Sequence, residues 1–228
     1  MPFSRVGLNL SAVTLPDINA AQIFISFIVL LFSLTVHETA HAWTADRLGD
    51  PTARQLGRVS MNPLVHADPI GTILFPLLAS ISRLPLIGWA KPVPVVISRL
   101  RRQRRDYVLV AAAGPASNLV LASIAALALR ITPVSPATLR TLNVSAPLAS
   151  IAGRALEVNL LLAIFNMIPI PPLDGGNVLG GLLPPAIGRS YDRLVRPYGF
   201  LLIYVLMLTG GLSYLVTPPY LFLLSWLL

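Results

Sequence analysis

The chain has 228 residues, of which 55% are hydrophobic and 11% charged, and its mean hydropathy is +0.74. Those proportions exclude an ordinary soluble core and indicate a polytopic membrane protein. The net charge of +8 comes from cations lying between apolar runs rather than interleaved with aromatics, so anionic lipid explains it and no nucleic-acid partner is expected; the absence of cysteine excludes disulfides, thiol catalysis and thiolate metal sites.

Taken in order, residues 1–19 carry Pro2, Pro16 and Asp17 and read as an interfacial arm. The apolar run 20–36 approaches the roughly 20 residues needed to cross a hydrocarbon core. No small-residue cleavage site follows it, so it reads as a retained signal-anchor. A helix is expected over 19–48, stopped by Gly49-Asp50-Pro51. Residues 51–68 are polar and irregular, with a possible short strand at 54–61. The 69–89 stretch is apolar but interrupted by Pro76, Arg83 and Pro85, which favours a re-entrant or interfacial segment. Residues 90–97 are β-like, and Pro92 and Pro94 confine them to a sheet edge.

Arg99, Arg101, Arg102, Arg104 and Arg105 read as a lipid-facing cytoplasmic loop. Residues 107–131 form an Ala-rich apolar helix whose Gly114, Ala116, Ser117 and Ser123 permit close packing. A proline-containing loop follows over 132–148, where the sequon Asn143-Val144-Ser145 is a chance match. The 149–168 span ends in a proline cluster. A basic loop with Arg189, Arg193 and Arg196 leads to an apolar tail broken by Gly210-Gly211 and Pro218-Pro219, read as one span plus a short helix, or a hairpin. The expected fold is all-α and polytopic, with about four to five transmembrane helices, a re-entrant or interfacial segment and a small membrane-associated β element. One membrane-embedded domain is expected over residues 1–228, with its catalytic core at about 20–180, a re-entrant and edge-strand region at 69–97 and a hydrophobic C-terminal segment at 198–228.

On a helix, His37 and His41 lie at i and i+4, and their imidazoles project from one face within reach of one ion. Glu38 is offset enough to hold a water rather than the metal. The alternative is a polar patch between helices, but burying two histidines and a carboxylate near hydrocarbon costs several kcal/mol unless they are paired or metallated. A zinc hydrolase site needs a third protein ligand and an open position. The candidates are His66, Asp68, Glu157 and Asp174. Glu157 falls near the opposite membrane face, whereas Asp174 follows its span at a depth like that of His41. His66 suits an interfacial turn and is otherwise available to orient a ligand.

If residues 69–89 crossed fully, Asp174 would lie a bilayer away from His41. If they dip in and return, most of the arginines share one side with the site, and the positive-inside rule puts that side in the cytoplasm. The expected location is therefore the cell membrane, multi-pass, with the zinc site towards the cytoplasmic side.

The chain resembles the site-2 protease family of intramembrane zinc metalloproteases. The resemblance rests on His37-Glu38-Thr39-Ala40-His41, on Ala113-Gly114-Pro115-Ala116-Ser117-Asn118, and on Asn166 through Leu173-Asp174-Gly175. Gly88-Trp89-Ala90-Lys91-Pro92-Val93-Pro94 is typical of its short bacterial and archaeal branch. It implies one zinc ion held by His37, His41 and Asp174, with Glu38 as catalytic base and Asn166 positioning substrate or stabilising the oxyanion. Gly114, Pro115 and Asn118 match a packing motif, read as structural. The chain lacks the PDZ and regulatory domains of better-known members, so their gating does not carry over.

The resulting expectation is a metalloendopeptidase that cleaves membrane proteins in or near their transmembrane segments, with Glu38 shuttling the water proton and an edge strand near 91–97 capturing unwound substrate. The competing reading is a non-catalytic zinc-binding membrane protein or zinc carrier. A carrier requires no Glu38 beside the first ligand, and it needs a path across the bilayer.

Overall fold

The computed structural model describes residues 20–74, 90–131 and 147–228. The N-terminal arm, most of the 69–89 segment, Gly88 and Trp89, and the 132–146 loop with its sequon lie outside the described residues.

The first helix, α1, is Ala20–Arg47, and its 28 residues contain neither proline nor glycine. At about 1.5 Å per residue it extends about 42 Å, more than a hydrocarbon core of about 30 Å, so its polar last turns reach the interface. It stops as expected: Gly49 adopts φ 114°, and the Asp50 N–H closes onto Ala45 O at 2.9 Å. The second long helix, α2, is Gln103–Ile131 with Pro115 inside it, and the third, α3, is Pro147–Asn166. A short helix α4, Asp174–Leu182, begins at the aspartate itself. Then come α5 (Pro185–Leu194), α6 (Gly199–Leu208) and α7 (Gly211–Leu227).

Among the described residues three helices are long and apolar enough to cross a membrane, or four if the bent pair Pro185–Leu208 and Gly211–Leu227 counts as one span. The upper count meets the lower end of the four to five expected. The tail bends by 81° between those two segments, where Gly210 has φ 75°, whereas Pro218 and Pro219 lie inside a continuous α7. Proline is tolerated inside membrane helices because neighbouring groups satisfy the freed carbonyls.

The main packing is small-on-large. Ala122, Ala125 and Ala126 of α2 meet Ala149, Ala152, Leu156 and Leu160 of α3, with Leu223 and Leu227 of α7 against them. Small side chains let helices that share no hydrophobic drive in lipid approach closely. Replacing the fully buried Ala122 by leucine would wedge α2 from α3, at about 1–3 kcal/mol for an overpacked interior.

No strand forms among the described residues. Residues 90–96 run without regular structure, and their donors explain why they do not build a ladder. Pro92 and Pro94 have no N–H, the Val93 N–H donates to Glu38 Oε2 at 3.0 Å, and the Val96 N–H donates to Asp50 Oδ2 at 2.6 Å. The 54–61 stretch is also no strand. It holds the single turn Thr52–Gln55 and then Gly57 at φ 67°. The 69–89 segment opens with one π-helical turn, Pro69–Leu74.

The Arg101 N–H donates to Leu48 O at 3.0 Å, so the end of α1 and the start of α2 lie at the same end of the bundle. Leu48 and Arg101 therefore lie at one end of the bundle, while residues 75–89, on which the re-entrant reading turns, lie outside the described residues. α1 and α3 run in the same direction, with α2 opposed. The chain has no native cysteine, so cysteines introduced singly at Met61, Arg101 and Arg130 provide a clean check. An impermeant thiol reagent should label Met61→Cys and Arg101→Cys from one face and Arg130→Cys from the other. Labelling of the first two from opposite faces would contradict this topology.

Candidate metal centre

The i, i+4 spacing on α1 carries His37 and His41 to one face, where both are buried. Each ring presents Nδ1 to an acceptor behind it. His37 Nδ1 lies 2.6 Å from Asn118 Oδ1, and His41 Nδ1 lies 2.7 Å from Val110 O, both on α2. Val110 O can only accept, which keeps a proton on His41 Nδ1, and the Asn118 amide in this orientation offers His37 the same kind of acceptor, so that each neutral ring would turn an Nε2 lone pair toward the other.

Those lone pairs converge. His37 Nε2 and His41 Nε2 are 3.1 Å apart, and Asp174 Oδ2 lies 3.1 Å from the first and 3.4 Å from the second. Asp174 Oδ2 is buried within ion-pair distance of both rings yet makes no well-directed hydrogen bond. Three electron-pair donors crowded together in a low-dielectric site repel one another unless a cation lies among them. Their spacing also suits one ion: tetrahedral zinc with ligands at about 2.0–2.1 Å sets neighbouring ligand atoms about 3.3–3.4 Å apart. Among the described residues this is the one group of His, Cys, Asp or Glu that could hold a metal.

The backbone makes room for the cluster. At Gly114 of α2 a Cβ would lie 2.6 Å from His37 Nε2 and closer still to His41 Nε2, so the bare glycine forms one wall of the centre. At Gly175 and Gly176, just after Asp174, a Cβ would strike the backbone of residues 167–171. Those two glycines let the start of α4 fold back under the end of α3 and bring Asp174 to α1.

Beside the cluster lies a cavity of about 360 Å³ whose walls include Glu38, Val93 and Asn166. Glu38 stands one residue from His37, and its Oε2 accepts the Val93 N–H at 3.0 Å. Asn166 Nδ2 donates to Leu162 O of its own helix at 3.0 Å, which leaves its second N–H for the cavity.

The sequence-based candidates thus separate. His37, His41 and Asp174 come together, and Glu38 and Asn166 line the same cavity. Glu157 pairs with Arg154 at 2.7 Å, far along α3 from Asn166. His66 is buried but contacts no member of the cluster; its Nε2 faces Ser60 O at 2.9 Å and Thr39 Oγ1 at 3.4 Å, tying the 60–66 turn to α1. Asn118 is more than the packing residue the sequence suggested, since it contacts His37 directly. A lone amide inside an apolar helix was the available signal.

Gly114→Ala should leave the helices folded but displace an imidazole, so that zinc retained after purification, measured by elemental analysis, falls about tenfold or more. Full zinc content in a folded Gly114→Ala protein would contradict the geometry.

The description of Peptidase family M50 matches residues 132–210, which include Asn166 and Asp174. The chain is 38% identical over 191 residues to the protein named "Putative zinc metalloprotease YwhC" of Bacillus subtilis, covering 84% of this chain and 83% of that protein. It is 33% identical over 208 residues to "Putative zinc metalloprotease Rip2" of Mycolicibacterium smegmatis, covering 90% of this chain and 74% of that one. The Mycobacterium tuberculosis Rip2 is 30% identical over 203 residues, covering 87% and 72%. No solved structure matches the chain. With relatives of this similarity aligned along most of both lengths, the chain belongs to Peptidase family M50, the site-2 protease family.

Proposed function

We propose that the protein is an intramembrane zinc metalloendopeptidase in which His37, His41 and Asp174 hold one zinc ion, Glu38 is the general base and Asn166 assists at the oxyanion. The observation that carries this reading is the convergence of two imidazole Nε2 atoms and a carboxylate oxygen at 3.1–3.4 Å beside a cavity walled by a further carboxylate. The names of the relatives, zinc metalloproteases, support the same chemistry.

When bound, zinc supplies an acidified water and polarises a carbonyl. The chain does the rest. Glu38 takes the proton of the attacking water and returns it to the leaving amine. The Val93 N–H, donating to Glu38 Oε2, holds that carboxylate in the cavity wall. The free N–H of Asn166 serves the developing oxyanion.

The substrates are membrane proteins whose transmembrane segment unwinds locally, because a helix hides its carbonyls in hydrogen bonds. Residues 91–97 are the edge along which an unwound stretch adds as a strand; Pro92, Val93 and Val95 already line the cavity. A second cavity of about 530 Å³ shares Tyr107 and Asn177 with the first and carries Arg104, Arg189 and Arg196, giving a polar flank of the substrate room to run.

The site faces the cytoplasm across the cytoplasmic membrane. Arg54, Arg58, Arg101, Arg102 and Arg105 gather at the end of the bundle that bears it, and such clusters favour the inner face. Residues 1–228 act as one membrane-embedded domain. A zinc carrier is disfavoured because a transport site has no use for a carboxylate poised beside its first ligand.

With purified protein and a single-span test substrate, Glu38→Gln should lower cleavage by about 10²–10⁴-fold while zinc content is unchanged. Cleavage at the wild-type rate, or zinc flux without cleavage by the wild type, would overturn the reading.

A further inference from the structure

The hydrogen bonds behind His37 continue through two more helices, and they bear on the zinc reading above, on which this inference rests. Asn118 and Asn159 are 0% and 2% exposed, two amides buried between α1, α2 and α3. Asn159 Nδ2 donates to Ala155 O at 2.8 Å within its own helix, which turns its Oδ1 toward α2. There it accepts from Asn118 Nδ2 at 2.8 Å. Asn118 Nδ2 also points to Ser33 O of α1 at 3.4 Å. With its nitrogen committed on that side, Asn118 presents Oδ1 to His37 Nδ1, 2.6 Å away.

We propose that Asn118 and Asn159 are positioning residues that fix the tautomer of His37, holding the neutral ring protonated on Nδ1 so that the Nε2 lone pair faces the metal. The contrast with His41 shows why two residues are needed. His41 Nδ1 rests on Val110 O, a backbone carbonyl that can only accept. His37 rests on a side-chain amide, which offers an acceptor or a donor depending on how it is turned. Were Asn118 reversed, its Nδ2 would face Nδ1 and drive the proton to Nε2. That proton would then lie among atoms 3.1 Å away on His41 and Asp174, where the ion belongs. Asn159 makes the reversal unfavourable, because its Oδ1 would then face another oxygen. Interhelical amide bonds do serve as packing glue in membranes, but glue needs no imidazole at the end of the chain. Partners behind metal-bound histidines set ring orientation and basicity, and their loss costs about 10–100-fold in metal affinity.

With only three histidines in the chain, the test can be made by nitrogen NMR on metal-free protein labelled with ¹⁵N-histidine. The pH is kept alkaline so that the rings are neutral, and His37 is assigned through His41→Gln and His66→Gln proteins. The wild type and Asn118→Asp, which keeps an acceptor, should show His37 protonated on Nδ1. Asn118→Leu should show a mixture of tautomers, and its zinc affinity by chelator competition should fall about 10–100-fold. Asn159→Leu should shift both readouts in the same direction by less, since Ser33 O still holds the Asn118 amide. A wild-type His37 protonated on Nε2 would overturn the proposal, as would folded Asn118→Leu with wild-type zinc affinity and tautomer. If Asn118→Leu does not fold, the wild-type spectrum and Asn159→Leu decide the matter on the same criteria. A wild type that has the Nδ1 tautomer and binds zinc but cleaves no substrate would overturn the protease reading and leave the positioning role of Asn118 and Asn159 supported.

Discussion

Two imidazole nitrogens and a carboxylate oxygen are pressed to within 3.1–3.4 Å of one another at a largely buried site. Left alone they repel, and the low dielectric strengthens that repulsion. Much of the surrounding structure counters it. The α1 pitch supplies two of the atoms, the close turn at Gly175 and Gly176 delivers the third, and Gly114 gives up a side chain so that α2 can back the rings. A cation converts the crowding into stabilisation, which couples metal binding to the packing of α1, α2 and α4.

A second constraint is access. Water and an extended peptide must reach atoms that are nearly buried, and the cavity beside Glu38 is bounded by a segment held by few bonds. Residues 91–96 are fastened at one end by the Lys91 N–H to His66 O at 2.8 Å and at the other by the Val96 N–H to Asp50 Oδ2 at 2.6 Å. Lys91 O also accepts from Arg58 Nη1 at 3.2 Å, and between the two ends the Val93 N–H donates to Glu38. His66 therefore belongs to this frame rather than to the metal. The two prolines that prevent a ladder also keep the segment from pairing with its own neighbours.

Much of this was legible in the sequence because it depends on local pitch and on counting crossings. The helical spacing of His37 and His41, the glycine stop at Gly49 and the need for Asp174 to return to the same end all follow from rules that act over a few residues or over whole spans. What was not legible depends on which atom meets which across helices. Asn118 read as packing because its contact lies 81 residues away in the chain. Val93 read as a strand residue because nothing local tells that its N–H ends on Glu38. Of the two breaks read in the tail, Gly210-Gly211 does bend the chain, whereas Pro218-Pro219 does not, because inside a membrane helix neighbouring groups absorb the lost bonds.

Zinc K-edge X-ray absorption on the purified wild-type protein tests the central claim most directly, because it counts ligands by type without relying on activity. The account predicts one zinc per chain with two imidazole nitrogens and oxygen in the remaining positions, all at about 2.0–2.1 Å. A protein that retains no zinc, or whose zinc carries a single imidazole, would contradict it.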